Sequence, residues 1–158
     1  MKRARTAARE LALNVLYQAD AAGVPFEEAL ETAIEFSDLS GLESKGSDKA
    51  EEARQYAGLI ATGVREHIKE LDKYISELSV GWPLERQPAV DRNILRLAIY
   101  EIRYVESVPE IVAVDEAIEL AKKYSTAESG KFVNGVLAGY LRKYSGAAEE
   151  ESIGSEDS

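Results

Sequence analysis

From Pro88 to Tyr144 three helical patterns follow one another with only short links between them. In the first, PAVDRNILRLAIYEIRYVE, the residues Val90, Ile94, Leu97, Ala98, Ile102 and Val105 recur at spacings of three and four, and Leu95 and Ile99 widen the stripe. An apolar face so broad, over a length too great for a strand, predicts a central helix contacted from several sides. Pro109 stops that helix and opens the next, EIVAVDEAIELAKKY, because a proline at the first helical position forfeits no intrahelical hydrogen bond. Ser125 with Glu128 predicts a capping box for the third helix, where Phe132, Val133, Val136, Leu137, Tyr140 and Leu141 repeat the helical period. Helices linked so tightly must pack on one another, and the fold class follows: all-α.

The rest of the chain extends the pattern. A first helix is predicted from about Ala4 to Ala22, with Ala8, Leu11, Ala12 and Val15 on its inner face and Gly23–Pro25 as its stop. Phe26, Leu30, Ala33 and Ile34 mark a second, acidic helix, and Ser37–Ser47 reads as a flexible loop. Asp48 and Glu51 form another capping start. From there Tyr56, Leu59, Ile60, Val64, Ile68, Leu71, Ile75 and Leu78 keep helical spacing up to Gly81. That stretch is one helix or two, with Gly63 as the expected break. Trp82 is expected as a packing hinge between the halves. The prediction is therefore a single compact domain over residues 1–145, about seven helices in two packed subsets divided near Trp82. GAAEEESIGSEDS, 146–158, is predicted to be a disordered acidic tail.

Composition removes most enzyme classes. The 158 residues contain no cysteine, which excludes disulfides, thiolate metal sites and a cysteine nucleophile and suits a reducing cytoplasm. No apolar run approaches the ~20 residues of a membrane-spanning helix. The single histidine, His67, has no nucleophile near it in sequence and reads as a surface or half-buried helix residue. Gly130–Lys131 lies at a helix start but lacks the upstream glycines of a phosphate loop. Neither catalytic residue nor metal site nor cofactor is predicted.

Charge points elsewhere. The net charge is −10, yet Lys2, Arg3, Arg5 and Arg9 stand at the N-terminus with no acid among residues 1–9, while five acids crowd 149–157. Segregation of this kind leaves a local basic footprint on an acidic protein. Cations at a helix N-terminus oppose the macrodipole, so helix stability alone does not account for them. They form either a frayed, solvated end or a phosphate-binding arm. On the central helix Arg92, Arg96, Tyr100 and Arg103 follow at steps of four, four and three, beside Asp91. That face is either paired with nearby acids or stacks and charge-pairs with single-stranded RNA. At the start of the last helix Ser129, Gly130 and Lys131 offer N–H groups and a cation where a phosphate could sit. Phe132 beside them is a core residue or a stacking platform. Within the last helix Asn134–Gly135 is unusual, and the pattern assigns Asn134 to a core hydrogen bond and Gly135 to a close helix approach. Residues 26–52 carry nine acids against Lys45 and Lys49, a field that serves solubility or a basic protein partner.

The order V-D-x-x-ILRLAIYE, then VP-x-x-VA-x-DEAIELAKKY, then S-x-KFVNGVL, with RELALNVLYQ near the start, resembles the NusB family of bacterial transcription antitermination factors. The resemblance covers nearly the whole chain apart from the segment around Ser37–Ser47 and the acidic tail. It implies an all-helical protein that binds boxA-like single-stranded RNA with the ribosomal protein NusE and tethers it to the transcription elongation complex. The rival reading is a helical adaptor whose partner contacts the RNA, and a homodimer stays open. The residue pattern and the resemblance together make Lys2, Arg3, Arg5, Arg9, Arg92, Arg96, Glu128, Ser129, Lys131 and Phe132 RNA-binding candidates, the resemblance bearing on the N-terminal arm, Arg96 and Glu128. Tyr17, Glu85 and Asp91 are candidates for the partner interface. Two positions depart from the family pattern, Gly130 for a common histidine and Asp115 for a common asparagine. Thr6 and Ala7 stand where further arginines are frequent.

Overall fold

The computed structural model describes residues 3–42 and 48–144. Lys2, the second half of the predicted 37–47 loop and the predicted acidic tail lie outside the described residues. Seven α-helices are seen among the described residues: α1 Ala4–Ala21, α2 Phe26–Glu35, α3 Lys49–Glu66, α4 Ile68–Leu78, α5 Ala89–Tyr104, α6 Glu110–Tyr124 and α7 Ala127–Tyr144. Short 3-10 turns occupy Ser40–Leu42 and Leu84–Arg86. Pro25, Pro88 and Pro109 each stand immediately before a helix, as a residue that cannot donate a backbone hydrogen bond should. Gly23, at φ +69°, takes the left-handed conformation just after α1, which glycine adopts without a Cβ penalty.

The central helix is α5, packed by α1, α3, α4, α6 and α7. The α1–α3 contact is built from small residues: Ala8, Ala12, Ala53 and Ala61 have no exposed surface and Ala57 has 1%. Small side chains let two helices approach closely along their length. Ile60, Val64, Ile94, Leu95 and Ile99 complete a fully enclosed core around them.

Several expectations need correction. The helix break falls at His67, between α3 and α4, and not at Gly63. Gly63 lies buried inside α3, where an added Cβ would overlap the Tyr100 ring. It is glycine because an aromatic ring from α5 occupies the side-chain space, not because the helix ends there. The spatial divide also moves to His67, since α4 packs on α5 and α7 although it precedes Trp82 in the chain. In the predicted loop, Leu39 and Leu42 are buried at 6% and 3% and anchor the 3-10 turn to the core. The last helix is capped by Thr126, whose Oγ1 accepts the Ser129 N–H at 3.0 Å, one residue after the predicted Ser125. Asn134 and Gly135 are both exposed, and an added Cβ at Gly135 would meet nothing within 4 Å. Their role is neither a core hydrogen bond nor a close helix approach.

Candidate nucleic-acid interface

The basic arm divides into exposed and buried cations. Arg3 precedes α1 and is exposed. The Arg5 guanidinium lies 4.5 Å from the Tyr56 ring centroid and donates to Ser107 Oγ at 3.0 Å. Stacking and hydrogen bonding together fix this side chain at the surface. Arg9 departs from the predicted stripe: it is 3% exposed. Its Nε and Nη2 donate to the two oxygens of Glu101 at 2.8 and 2.9 Å. Tyr56 donates to Glu101 Oε2 at 2.5 Å, and Glu116 Oε1 lies 3.6 Å from Arg9 Nη1 while accepting from Thr6 at 2.9 Å. Burial alone would favour neutral Arg9, but its bond to Glu101 and the charges of Glu101 and Glu116 outweigh that, and its pKa is raised. Burial, followed by the bond to Glu101, raises the Tyr56 pKa and keeps the phenol protonated. Arg9 is thus the buried anchor of the arm and does not share a solvent face with Arg5.

A sequence signal for this anchor existed. Glu101 sits on the inner face of a strongly apolar helix, and a carboxylate buried there requires a buried cation. Tyr56, Glu101 and Glu116, all absent from the predicted site, determine where Arg5 and Arg9 stand.

At the other end of α1 a second cluster binds α1, α4 and α5 together. Arg92 donates to Asp20 at 2.6 and 2.9 Å, and Asn93 donates to the same carboxylate at 2.9 Å. Arg96 makes a two-pronged contact with Asp72 at 2.7 and 2.9 Å and reaches Asp20 and Asn93, each at 2.9 Å. With 6% exposure, Arg96 is an internal cross-link, which corrects its placement on an open RNA-facing stripe. Arg92 is partly covered as well. Arg103, next along the stripe, donates to Glu70 at 2.8 Å and to Tyr140 at 2.9 Å. Partial burial raises the Asp20 pKa, but the bonds from Arg92 and Asn93 and the charge of Arg96 outweigh it, leaving the carboxyl below its ordinary value.

The starts of α5 and α7 meet at Asp91, which is fully buried and accepts from Ser129 Oγ at 2.8 Å. Asp91 therefore cannot present its carboxylate to a partner in this conformation, contrary to its predicted surface role. The Ser129 side chain is enclosed too, with Ser125 Oγ at 2.8 Å and Thr126 Oγ1 at 3.1 Å. Around this closed centre, Glu128 and Lys131 are exposed and lie 3.5 Å apart. Phe132 is half-buried, its ring edge-to-face with Trp82 at 4.5 Å between centroids. Trp82 thus holds the α7 start, and Phe132 is neither core nor free platform. Glu85 is exposed in the turn before α5. Tyr17 is 41% exposed on a groove of about 530 Å³ walled by α1, Leu39, Leu42, Val90 and Tyr124. A second cavity of about 430 Å³ opens beneath the arm between Arg3, Lys49, Glu52 and Val112.

This arrangement coincides with one of known form. The model of the NusB family matches residues 6–142. The chain belongs to the NusB family. Among its relatives, the transcription antitermination protein NusB of Symbiobacterium thermophilum is 42% identical over 153 residues, covering 97% of this chain and 99% of that one. The protein of the same name from Acidothermus cellulolyticus is 45% identical over 135 residues, 85% of each chain. A solved structure of antitermination factors NusB and NusE in complex with double-stranded RNA matches with a TM-score of 0.75 at 30% identity, covering 91% of this chain and all of that one. This NusB-family chain has no helix among its described residues long and apolar enough to cross a membrane.

Proposed function

We propose that this protein is a transcription antitermination factor that binds boxA-like RNA together with NusE, at ribosomal RNA operons. The observation that carries the reading is the shared fold and sequence with a NusB solved with NusE and RNA. In this reading the exposed Arg3 and the partly exposed Arg5 meet RNA phosphates, joined by Lys2 from outside the described residues, with Lys131, Glu128 and Phe132 as a second contact. Tyr17 and Glu85 face the protein partner. Arg9, Arg92, Arg96, Asp91 and Ser129 act behind them, fixing the helix ends on which the contacts stand. The work is positioning, carried out in the cytoplasm where transcription runs, and no bond is made or broken.

The test is a titration of boxA-like, scrambled and duplex RNA, each with and without NusE. Preference for the boxA-like single strand, strengthened by NusE, is the expected result. Equal affinity for scrambled RNA would remove the sequence-specific reading, and tighter binding of the duplex would favour recognition by shape. Binding only in the presence of NusE would leave this chain as a protein adaptor. Replacing Arg3 and Arg5 with Ala should lower the salt slope by up to ~0.7 per lost phosphate contact.

A further inference from the structure

The cavity beneath the arm has two chemically different sides. Arg3, Arg5 and Lys49 stand on its basic rim, supplied by the start of α1 and the start of α3. Its opposite wall is the α5–α6 connection and first turn of α6, where Val108, Pro109 and Val112 form an apolar surface. The walls are joined where Arg5 donates to Ser107 Oγ at 3.0 Å, and the Arg9–Glu101 pair closes the floor at 2.8 Å. The carboxylate of Glu52, on α3, also borders the space. Its volume of about 430 Å³ falls within the ~300–1,000 Å³ of small-ligand pockets. A plain electrostatic footprint needs no cavity, because phosphates lie on the surface. A cavity with a cationic rim, an apolar wall and a hydrogen-bond acceptor suits a whole nucleotide.

We infer that this cavity receives one splayed-out nucleotide of the bound RNA. This rests on the RNA-binding reading and names what that site recognises. The phosphate meets the rim at Arg3, Arg5 and Lys49. The base lies against Val108, Pro109 and Val112, since unstacked bases of single strands are taken up on apolar or aromatic surfaces. Glu52 accepts a hydrogen bond from an exocyclic amino group, which adenine, cytosine and guanine present and uracil, with only its ring N–H to donate, does not. Uracil is therefore disfavoured at this one position. The arm supplies charge, and the cavity beneath it supplies a base preference.

Two variants and one unmodified measurement test the inference, using the full chain with NusE and a boxA-like RNA. Val112→Phe fills the cavity without changing charge. It should weaken binding about tenfold, the size of a lost base contact, while the salt slope stays the same. Glu52→Gln should relax the discrimination against uracil at a single RNA position when each position is varied in turn. With wild-type protein, thioguanosine placed at that position should crosslink to the 107–112 segment. A folded Val112→Phe protein with unchanged affinity overturns the inference, as does crosslinking confined to residues outside the cavity. If Val112→Phe fails to fold, the crosslink decides alone. These failures leave RNA binding itself intact, whereas wild-type protein that cannot tell boxA-like from scrambled RNA removes the reading beneath.

Discussion

The two ends of α1 are tied to α5 by arginine–carboxylate clusters of opposite polarity. At the start of α1 the helix provides the cation, Arg9, and α5 the acid, Glu101; their side chains are 4% and 2% exposed. At its end α1 provides the acid, Asp20, 21% exposed, and α5 the cations Arg92 and Arg96 at 16% and 7%. Reversing α1 on α5 would bring like charges together at both ends, so the pair of clusters fixes direction and register. They differ in energy because they differ in water. The inner pair has lost its hydration and depends wholly on its partner, whereas the carboxylates of the outer cluster can rehydrate when a partner is removed. The roles divide the same way: the inner cluster holds the arm proposed to meet RNA, and the outer one ties α1, α4 and α5 together.

The largest effect is expected at the inner cluster. Glu101→Gln leaves Arg9 as a buried cation without its countercharge and should cost ~3–5 kcal/mol in denaturant unfolding. Combining Arg9→Met, Glu101→Leu and Tyr56→Phe removes the buried charges and donor, leaving only the partly exposed Glu116 with its bond from Thr6, and it should recover most of that loss. If Glu101→Gln cost under about 1 kcal/mol, the contrast between a dry and a wet cluster would be wrong. Arg96→Ala tests the outer cluster and should cost ~1.5–3 kcal/mol, as for hydrogen bonds to charged groups whose partners keep some solvent. It should weaken RNA binding only through stability, restored once temperature is lowered well below the melting point.

Acid should separate the clusters further. Asp20 is held below its ordinary pKa of 3.8, so its stabilising contribution is complete at neutral pH. That contribution begins to fall as pH drops through the ordinary carboxylate range and is gone below the depressed folded-state value. The stability gap between wild type and Asp20→Asn should accordingly be widest above that range and narrow on acidification, measured by urea unfolding across a pH series. A gap independent of pH would mean that Asp20 contributes shape and not charge. The smallest effect is expected away from both clusters. Asn134→Ala lies on an exposed face of α7 and should change stability by less than ~0.5 kcal/mol; a larger loss would reveal a third tie between helices.

Sequence alone determined the helical class, the order of the helices and most of their starts, because helical period and proline are local signals; the break at His67 was not among them. The three prolines mark helix starts wherever the chain folds, and the order of motifs from RELALNVLYQ to KFVNGVL identified the family. What only the tertiary structure decided was which polar residues remain in water. Periodicity tells which residues share a face, but not whether a neighbour covers it, and α5 is covered nearly all round. Hence Asp91 and Arg96 are buried on a helix whose polar stripe reads as open. Arg9 follows them inward because its partner, Glu101, lies ninety-two residues away along the chain. Gly63 and Asn134 failed for the same reason. The first is set by an aromatic ring from another helix, and the second by the absence of any helix above it among the described residues. The cavity beneath the arm joins residues from α1, α3 and α6, so no local pattern could have disclosed it.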